Sequence, residues 1–443
     1  MTTLSVIGVG YLGAVHAVCM AELGHTVIGL DVDSERVASL NAGRAPFFEP
    51  GFQELLDRSL ASGRLRFTTD YADLAEAEVH FLALGTPQRA DSHAADLSFL
   101  QAAVASLAGV LADREQPAVL VGKSTVPVGT ARTLARQLRN LEHLELIWNP
   151  EFLREGHAVA DTLHPDRLIY GTADGTEDPT QVAILDRVYA PLLASDIPRL
   201  VFNFETAELV KVSANSLLAT KISFINAIAE VCEASGADVT QVARAIGLDP
   251  RIGPAFLAAG VGFGGGCLPK DIRAFSARSA ELGATGAVGL LEQVDAINLG
   301  RRQRVIDLVA EALPGAAGAA PAVTVLGAAF KPNSDDVRDS PALDIACRLR
   351  AAGYDVTVHD PQALANVRRR FPDLRAVDDL DEALAGARVV LLLTEWQDYR
   401  PGHLAASRAA GLMAPAPVVI DGRNALDRDE WEAAGFTFHG LGR

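Results

Sequence analysis

The chain has little of what extracellular and membrane proteins need. It contains only 4 cysteines in 443 residues, which is too few for a disulfide scaffold and fits a reducing compartment. Its longest aliphatic runs, such as residues 389–393, have the length of a strand, whereas a bilayer span needs roughly 18–20 apolar residues. No basic segment precedes the first apolar stretch, so the start does not resemble a secretory signal. These absences predict a cytoplasmic protein.

Positive charge is also scarce. The 39 Lys and Arg residues face 56 Asp and Glu residues, and the formal net charge is -17. Nucleic acids and anionic membranes attract basic surfaces, so this balance argues against both as main partners. It leaves a phosphorylated ligand possible, because a few local Lys and Arg residues suffice for one. The composition is otherwise that of a globular protein, and the length predicts two to four domains.

The chain opens with the pattern of a strand, a tight turn, a helix and a second strand. An apolar run covers residues 4–8, a helical pattern covers residues 13–23, and a second apolar run covers residues 26–30. Such a pattern is typical of a βαβ unit. Further strand-length apolar runs lie at residues 79–84, 118–121 and 144–148. About the first 195 residues therefore predict a parallel α/β domain with ligand loops at its strand ends.

The middle of the chain has the pattern of helices only. Apolar residues recur at helical spacing over residues 206–235, and Gly236 is the first glycine or proline to interrupt them. Helical patterns continue at residues 239–246, 272–282 and 286–309. A long apolar helix that joins two domains often forms a dimer interface. The alternative is a spacer within one subunit.

The last part repeats the opening pattern. Residues 312–322 are rich in Ala, Gly and Pro and predict a linker. Strand, helix and strand patterns follow at residues 322–326, 341–351 and 355–359, and Asp360 comes next. The first loop lacks the three-glycine spacing, so we expect it to hold something other than a dinucleotide. The fold class is therefore predicted as α/β, with two Rossmann-like, doubly wound parallel-sheet domains (1–200 and 312–443) joined by a central all-helical domain with one long helix (201–311).

The first loop has the spacing of a dinucleotide fingerprint. Gly8-Val9-Gly10-Tyr11-Leu12-Gly13 follows a predicted strand and opens a predicted helix, and Asp31 ends the next strand. Gly8 would make the tight turn, Gly10 would let the backbone reach the pyrophosphate, and Gly13 would let helix and strand pack closely. Asp31 would accept hydrogen bonds from the ribose 2′-OH and repel a 2′-phosphate, which favours NAD over NADP. The alternative is a glycine turn of structural use only.

One of the four cysteines stands apart. Cys19, Cys232 and Cys347 lie inside helical patterns and are interpreted as small buried residues. Cys267 follows a glycine-rich run at residues 262–266 and precedes Leu268-Pro269-Lys270-Asp271. A thiol before a helix N-terminus and near a lysine is biased towards thiolate; a structural glycine loop is the alternative. NAD with a nucleophilic cysteine suggests oxidation to a carboxylate through a thioester.

Beyond these two features, the chain resembles the UDP-glucose/GDP-mannose dehydrogenase family over nearly its whole length. The resemblance rests on ordered motifs: the Gly8–Gly13 loop with Asp31, Glu49-Pro50-Gly51, Gly85-Thr86-Pro87, Lys123-Ser124-Thr125-Val126-Pro127, Asn149-Pro150-Glu151-Phe152-Leu153-Arg154-Glu155-Gly156, Pro165-Asp166-Arg167, Lys211 with Asn215, Arg251-Ile252-Gly253, residues 262–271, Phe330-Lys331-Pro332, Asp335-Asp336-Val337-Arg338 and Asp421-Gly422-Arg423. The resemblance implies an N-terminal NAD-binding domain, a central helical domain that supplies a homodimer contact, and a C-terminal domain that helps to hold a nucleotide sugar. The implied reaction converts UDP-glucose, two NAD and water to UDP-glucuronate and two NADH.

The resemblance also implies roles for individual residues. Lys211 would act on the C6 hydroxyl proton or stabilise the oxyanion, and Asn215, four residues on, would donate to the same oxygen. Glu155 and Asp271 would position or deprotonate the hydrolytic water, with help from Thr125. Without the resemblance, Lys211 and Asn215 would be interpreted as a solvated lysine and a polar cap. Glu151 and Glu155 would share a face if they were helical, or simply form a solvated acidic surface.

The remaining implied positions bind ligands, and no metal ligand is expected. The cofactor-binding residues are Gly8, Gly10, Tyr11, Leu12, Gly13, Asp31, Thr86, Pro87, Thr125, Lys270 and Arg338. The substrate-binding residues are Glu151, Phe152, Leu153, Arg154, Glu155, Lys211, Asn215, Arg251, Phe263, Gly264, Lys331 and Arg423. Among these, Lys270, Arg251, Lys331 and Arg423 would offer positive charge to the diphosphate and the sugar, and the family implies that Arg251 comes from the partner subunit.

Two departures from the family pattern bear on the substrate. Gly266 stands where the family usually has a serine, and Leu268 stands where an aromatic residue is common. Leu268-Pro269-Lys270-Asp271 also occurs in GDP-mannose dehydrogenases, whereas residues 219–226 resemble the UDP-glucose branch. UDP-glucose is therefore the expected substrate, and GDP-mannose or another UDP-sugar, oxidised by the same mechanism, is the alternative.

Two other classes of protein stay open. A simple two-electron dehydrogenase of the 3-hydroxyacyl or 6-phosphogluconate type would share the N-terminal fold, but it would need neither the cysteine nor a second α/β domain. A nucleotide-sugar sensor without activity would not need Lys211, Asn215, Cys267 and Asp271. Counting NADH formed per substrate separates the three classes: two, one or none.

Overall fold

In the computed structural model the chain begins with the predicted βαβ unit. β1 (Thr3–Ile7) and β2 (Thr26–Leu30) pair in parallel, and α1 (Tyr11–Glu22) connects them. The helix begins at Tyr11 rather than at residue 13, so part of the glycine fingerprint lies in its first turn. The structure describes residues 1–177, 179–314 and 320–443, and only the backbone of residue 179. The chain divides into two compact units, Met1–Ala214 and Asn215–Arg443.

The first unit contains a sheet of eight strands in the order β3-β2-β1-β4-β5-β6-β7-β8. After β1 and β2, the strands are β3 (Leu65–Thr68), β4 (Val79–Leu82), β5 (Ala118–Gly122), β6 (Leu144–Trp148), β7 (Leu168–Thr172) and β8 (Arg199–Asn203). After α1, the helices are α2 (Ser34–Asn41), α3 (Phe52–Ala61), α4 (Ser98–Val110), α5 (Thr130–Gln137), α6 (Ala158–Leu163), α7 (Pro179–Val188) and α8 (Ala190–Leu193), with a 3₁₀ turn at Tyr71–Leu74. β1 lies at the centre, so its loop opens where the strand order reverses.

Helices cover both faces of this sheet. Successive residues of one strand point to opposite faces, and Val6 and Ile7 of β1 belong to two different apolar clusters. Both side chains are fully buried. Burial on both sides explains why the central strands appear in the sequence as continuous apolar runs rather than as alternating ones.

One pairing corrects the prediction of an all-parallel sheet in this unit. β6 pairs with β7 in the antiparallel direction at Trp148 and Gly171, and β7 and β8 then pair in parallel with each other. A Cβ atom at Gly171 would lie 2.7 Å from the Ala207 side chain and 3.2 Å from that of Trp148, so the crossing is tight. The apolar pattern of a strand does not reveal its direction, so this reversal could not be predicted from the sequence.

α9 (Phe204–Ser235) is an uninterrupted helix of 32 residues. It begins in the first unit and ends in the second. In the first unit the carboxylate of Glu208 accepts hydrogen bonds from the backbone N–H groups of Gly129 and Ala131, both at 2.6 Å. The first backbone N–H groups of a helix have no acceptor within that helix. The Glu208 carboxylate supplies this acceptor at the start of α5.

After the end of α9, the second unit contains further helices and a six-stranded, all-parallel sheet, in the order β11-β10-β9-β12-β13-β14. The strands are β9 (Ala322–Leu326), β10 (Asp355–His359), β11 (Arg375–Ala376), β12 (Val389–Leu392), β13 (Val418–Asp421) and β14 (Thr437–Gly440). The helices are α10 (Val239–Gly247), α11 (Leu268–Glu281), α12 (Thr285–Ala312), α13 (Pro341–Ala351), α14 (Leu364–Arg370), α15 (Leu380–Leu384), α16 (Ala406–Leu412) and α17 (Arg428–Ala433), with a 3₁₀ turn at Gln397–Tyr399. Residues 204–314, which the structure describes throughout, contain only helices as regular elements, so the predicted fold class is confirmed.

The C-terminal repeat of the opening pattern differs in how it uses its acidic residue. Asp360 follows β10, is buried, and accepts hydrogen bonds from the N–H groups of Ala328 and Ala329 and from the Trp396 indole. Its carboxylate is occupied by its own loop and core. That arrangement agrees with the expectation that this loop does not hold a dinucleotide.

Two expectations concern segments that the structure describes only in part. The predicted linker at residues 312–322 lies partly outside the described residues, since 315–319 are not described. Within the described part of the chain, no helix is both long enough and apolar enough to cross a membrane.

Candidate active site

The Gly8–Gly13 loop has the backbone geometry of a dinucleotide fingerprint. Gly8 has a φ of +88°, which a side chain rarely tolerates, and a Cβ at Gly13 would lie 1.8 Å from the Gly8 carbonyl oxygen. A Cβ at Gly10 would have open space around it. The loop therefore needs glycine at its two ends for its own packing, and leaves room at the middle glycine for a ligand to approach the backbone and the start of α1.

Asp31 stands beside this loop at the end of β2. Its Oδ2 atom accepts a hydrogen bond from the Val9 N–H at 3.0 Å and one from the Arg36 guanidinium at 2.9 Å, and its Oδ1 accepts one from the Asp33 N–H at 3.1 Å. These contacts fix the carboxylate close to the loop. It is therefore held at the edge of the loop, where a ribose bound by such a fingerprint would meet it.

Two further predicted cofactor positions contact each other. The Thr86 hydroxyl donates to the Thr125 carbonyl oxygen at 2.7 Å. Thr86 is buried, Thr125 is half-buried, and Pro87 is exposed. The loops after β4 and β5 are thus joined at the carboxyl ends of neighbouring strands, where open α/β sheets bind ligands.

Lys211 is buried, which excludes the interpretation as a solvated lysine. Its ammonium lies 3.3 Å from Oε1 of Glu151, and 5.5 Å from the centre of the Phe152 ring. Only 5% of the Lys211 surface is exposed. The half-buried Glu151 carboxylate compensates this ammonium, because desolvating either charge alone is costly.

Residues 151–154 have no regular secondary structure, so the idea that Glu151 and Glu155 share a helical face is wrong. Glu151 instead accepts the Leu153 N–H at 2.8 Å, which turns the segment back on itself. Arg154 is exposed, and its guanidinium pairs with Asp161 at 2.6 Å. Glu155 is buried. The proline before Glu151 disfavours helix in the residue that precedes it, and Gly156 has a φ of +78°, so the segment is an irregular loop held from both sides.

Cys267 is an exposed thiol directly before α11. Pro269 lies in the first turn of that helix, as expected for proline. The helix begins at Leu268, which agrees with the interpretation of Cys267 as a thiol before a helix N-terminus, whereas the apolar period alone placed the start at residue 272. Cys19 and Cys232 are buried as predicted, whereas Cys347 is half-buried.

Asp271 joins two of the predicted site residues of the second unit. Its Oδ2 accepts a hydrogen bond from the Asn215 amide at 2.7 Å, and its Oδ1 pairs with the Lys270 ammonium at 2.7 Å. Asp271 is 3% exposed. Asn215 is buried as well, so it is no simple polar cap. Both carboxylate oxygens are thus engaged, and the geometry suits Asp271 to orient Asn215 and Lys270.

The glycine run before Cys267 is held by neighbours on several sides. Asn298 accepts the Phe263 N–H at 2.7 Å and donates to the Phe263 carbonyl oxygen at 3.0 Å. The Phe263 ring is buried in an apolar cluster, so it is not displayed to a ligand. A Cβ at Gly264 would lie 2.3 Å from the Asp339 carbonyl oxygen. At Gly266, where the family usually has a serine, a Cβ would lie 2.3 Å from the Arg338 guanidinium.

The predicted basic positions differ in exposure. Arg423 donates to the carbonyl oxygens of Leu393, Gly262 and Phe330, so it braces the glycine run. Lys331 is half-buried, and its ammonium lies 5.3 Å from the centre of the Phe330 ring. Arg251 is strongly exposed and pairs with Asp249 at 2.6 Å. Arg338 pairs with Asp336 at 2.7 Å.

The sequence did not reveal several residues that shape these loops. Asn298 lies within α12 and resembles an ordinary polar residue of a helix. Lys123 and Asn149 belong to motifs but had no role, and the structure shows the buried Lys123 ammonium donating to Asn149 Oδ1 at 2.9 Å. A lysine that directly follows an apolar strand was the only available signal. Among the described residues, no group of three or more His, Cys, Asp or Glu side chains could hold a metal ion.

Family models match most of the chain. The NAD-binding domain model of the UDP-glucose/GDP-mannose dehydrogenase family matches residues 2–193, the central domain model matches residues 205–299, and the UDP-binding domain model matches residues 324–428. The first range contains the Gly8–Gly13 loop and Asp31, and the second contains Lys211 and Cys267.

Individual proteins match over nearly full length. A UDP-glucose 6-dehydrogenase from Rhizobium meliloti is 40% identical, with 99% of each chain covered. The structure of a UDP-glucose dehydrogenase from Pyrobaculum islandicum is 37% identical and has a TM-score of 0.89, with 100% of this chain and 98% of that one covered. The structure of a UDP-D-ManNAc dehydrogenase from Pyrococcus horikoshii is 26% identical, with a TM-score of 0.86 and with 100% and 99% covered.

Proposed function

This chain belongs to the UDP-glucose/GDP-mannose dehydrogenase family, and we propose that it oxidises UDP-glucose to UDP-glucuronate through a thioester on Cys267. It is an NAD-dependent oxidoreductase, so the cofactor prediction is confirmed. The observation that carries the proposed chemistry is the exposed Cys267 thiol at the start of α11, one turn before a buried Asp271 that holds Asn215 and Lys270.

The first oxidation would use Lys211 and Asn215. They lie one helical turn apart on α9, and residues at this spacing share a helix face. We assign Lys211, paired with Glu151, to stabilise negative charge on the C6 oxygen as its proton leaves, and Asn215 to donate to the same oxygen. Asp271 would fix the amide orientation of Asn215. Held by the Gly8–Gly13 loop and Asp31, NAD would supply the hydride acceptor that both oxidations need.

The second oxidation would use Cys267. The thiolate adds to the aldehyde carbon and gives a thiohemiacetal, whose carbon can lose a hydride because it is now tetrahedral. Loss of that hydride and of the hydroxyl proton leaves the thioester. An exposed thiol at the end of a glycine run allows a sugar carbon to approach within bonding distance of sulfur.

Hydrolysis would return the thiol. Water adds to the thioester carbon, the C–S bond breaks, and the carboxylate is released. We assign Glu155, buried beside Gly156, to take the proton of this water, with Thr125 helping to position it. Asp271 is the alternative base, but both of its oxygens already have partners.

The ligand loops supply the other proposed contacts. Gly8, Gly10, Tyr11, Leu12, Gly13, Asp31, Thr86, Pro87, Thr125, Lys270 and Arg338 would bind NAD. Glu151, Phe152, Leu153, Arg154, Arg251, Phe263, Gly264, Lys331 and Arg423 would surround the nucleotide sugar. Because the ring of Phe263 is buried and Arg154 is paired with Asp161, their contribution would be to shape these loops.

UDP-glucose is preferred over its alternatives because the 40% identical relative is a UDP-glucose 6-dehydrogenase, whereas the UDP-D-ManNAc dehydrogenase is 26% identical. The test measures kcat/KM for UDP-glucose, GDP-mannose and UDP-N-acetylmannosamine under one condition, and counts NADH per substrate. We expect UDP-glucose to give the highest value and two NADH. A higher value for GDP-mannose would overturn the substrate while leaving the chemistry, and one NADH per substrate, or full activity of Cys267→Ala, would overturn the thioester route.

We also propose a homodimer that forms through the central helices, in a three-domain chain divided at 1–200, 201–311 and 312–443 and located in the cytoplasm. Leu217, Phe224 and Val231 repeat every seven residues on α9, and 62%, 51% and 61% of their surfaces are exposed. Residues at this spacing lie on one helix face. A run of exposed apolar side chains on one face is typical of a protein interface.

A further inference from the structure

Glu49, from a motif without an assigned role, bridges two loops of the first unit. Its Oε2 atom accepts a hydrogen bond from the Tyr11 hydroxyl and another from the Gly156 N–H at 2.7 Å. Its Oε1 accepts the Ala158 N–H at 2.6 Å and the Val159 N–H at 3.4 Å. Only 6% of Glu49 is exposed. The carboxylate is therefore held by four donors from two separate parts of the chain.

The partners of Glu49 come from the two segments that we assign to different ligands. Tyr11 is the first residue of α1 and lies inside the Gly8–Gly13 loop. Gly156 directly follows Glu155, and Ala158 begins α6. The Tyr11 hydroxyl also accepts the Gly156 N–H at 3.1 Å. Tyr11, in the first turn of α1, therefore contacts Gly156 both directly and through one side chain, that of Glu49.

Aromatic packing and burial keep this contact in one form. The Tyr11 ring packs against Phe47 at 4.7 Å between centres, and Phe47 packs against Phe52 at 4.8 Å. Burial, together with the Glu49 carboxylate, raises the pKa of Tyr11 above its ordinary value. The phenol therefore stays protonated at working pH and remains a donor. Since it cannot release its proton readily, its function is to hold a position.

We propose that Tyr11 and Glu49 are positioning residues that couple occupancy of the dinucleotide loop to the placement of the Glu151–Glu155 segment. The inference rests on the proposed function, because that function assigns the first loop to NAD and the second to the nucleotide sugar. When the backbone amides of the first loop bind the pyrophosphate, Tyr11 is displaced with them. Glu49, which contacts both residues, then displaces Gly156. Coupling of this kind is reciprocal, so each ligand must change the affinity of the other by the same factor.

The test measures that factor directly. The dissociation constant of NAD is determined by calorimetry with and without a saturating nucleotide-sugar acid, which cannot be oxidised further. The acid is the product of whichever sugar gives the highest kcat/KM, so a wrong substrate assignment changes the probe and leaves the test intact. We expect the acid to tighten NAD binding at least fivefold in the natural protein.

Tyr11→Phe removes the bridging hydroxyl and keeps the ring on Phe47. We expect the coupling factor to fall at least threefold, and kcat to fall about tenfold with the KM for NAD within twofold. Glu49→Gln should reduce the coupling in the same direction. The control is Glu54→Gln, an exposed residue of α3, which should keep the natural factor. If the contact between Tyr11, Glu49 and Gly156 were only structural, its loss would lower the melting temperature and leave the coupling factor unchanged.

Two results would overturn the proposal: a natural protein in which the acid does not alter NAD affinity, or a folded Tyr11→Phe variant with the natural coupling factor. Tyr11→Phe is the decisive variant, because Glu49→Gln leaves four donors facing an amide and could fail to fold. Tyr11→Phe removes a single oxygen, and its ring keeps its packing partner.

Discussion

Lys123 shows how a single buried charge can set the pH response of the fold. It is 7% exposed, and burial lowers the pKa of its ammonium to about 8. Its ammonium contacts Asn149 and lies 5.9 Å from the ring centres of Phe81 and Tyr189. Above pH 8 the folded protein releases this proton, while the unfolded chain keeps it to about pH 10.4. The contribution of Lys123 to stability therefore rises with pH over this window.

We predict that Lys123→Met stabilises the protein near pH 7, by up to about 3 kcal/mol for a shift of this size, and that the gain disappears near pH 10. Asn149 Oδ1 also accepts from the Tyr189 hydroxyl, at 2.8 Å, and we expect it to keep this donor in the variant. Melting temperatures of both proteins, measured at several pH values from 7 to 10, check the difference. A difference that does not change with pH would contradict the prediction.

Asp31 gives a second prediction at the scale of one residue. Asp31→Ala removes a charged acceptor for the ribose and frees Arg36 from its pairing, so NAD should bind about 10–100-fold more weakly. NADP should lose far less, because the charge that repels its phosphate is gone. The measurement is kcat/KM with each cofactor.

The matched control is Asp33→Asn. Asp33 caps α2 through the N–H groups of Glu35 and Arg36, and asparagine is as good a cap as aspartate. This variant loses one nearby charge and keeps the ribose acceptor, so its preference for NAD should persist. An unchanged preference in Asp31→Ala would remove Asp31 from the cofactor site.

At the scale of elements, two glycine-to-alanine substitutions separate the steric effect of a Cβ atom in the glycine run from the general effect of replacing a glycine. Gly264→Ala would place a Cβ atom 2.3 Å from a backbone oxygen that cannot rotate away. We expect the run before Cys267 to shift and kcat to fall at least tenfold, since small misplacements of reacting groups are costly. Gly109→Ala is the control, because Gly109 lies in α4 with open space around it, and it should leave activity unchanged and stabilise the helix slightly. Equal activity of both variants would contradict the tight packing.

The proposed dimer face on α9 has its own test. Leu217→Glu or Phe224→Glu would bury a charge in the interface, so we expect dimers to dissociate to monomers. Phe99→Glu is the control, because Phe99 is 58% exposed on α4 of the first unit. Light scattering after gel filtration gives the mass of each variant. A natural protein that is monomeric, or a dimer that survives both changes, would exclude this face.

The predictability of the elements followed the strength of their local signals. The apolar period of α9 is visible because no glycine or proline interrupts it before Gly236. β3 and β8 were not predicted, because their exposed or half-buried positions weaken the apolar run. β7 is buried throughout, but its apolar run is short and ends at Gly171 and Thr172. The apolar period alone placed the start of α11 too late, at residue 272, whereas the interpretation of Cys267 as a thiol before a helix N-terminus placed it correctly.

At the scale of the whole molecule, the motifs predicted which residues are functional, but they did not predict which of these residues contact each other. Cys267, Lys211 and Asp31 stand in recognisable local patterns. Asn298 stands in no such pattern, and the motif of Glu49 does not indicate its role, because their partners lie 35 and 107 residues away in the chain. Contacts over such separations depend on how elements pack, and one sequence contains no local trace of them.

The thiols of the molecule differ sharply in solvent exposure. The fraction of active enzyme in a preparation can therefore be measured by covalent labelling. Cys267 is exposed, while burial raises the pKa of Cys19 to about 12 and also raises the pKa of Cys347. A small alkylating reagent should therefore reach Cys267 first. Intact mass would gain one adduct in step with the loss of turnover, and the labelled fraction would report how many molecules in a preparation are competent, with no substrate present.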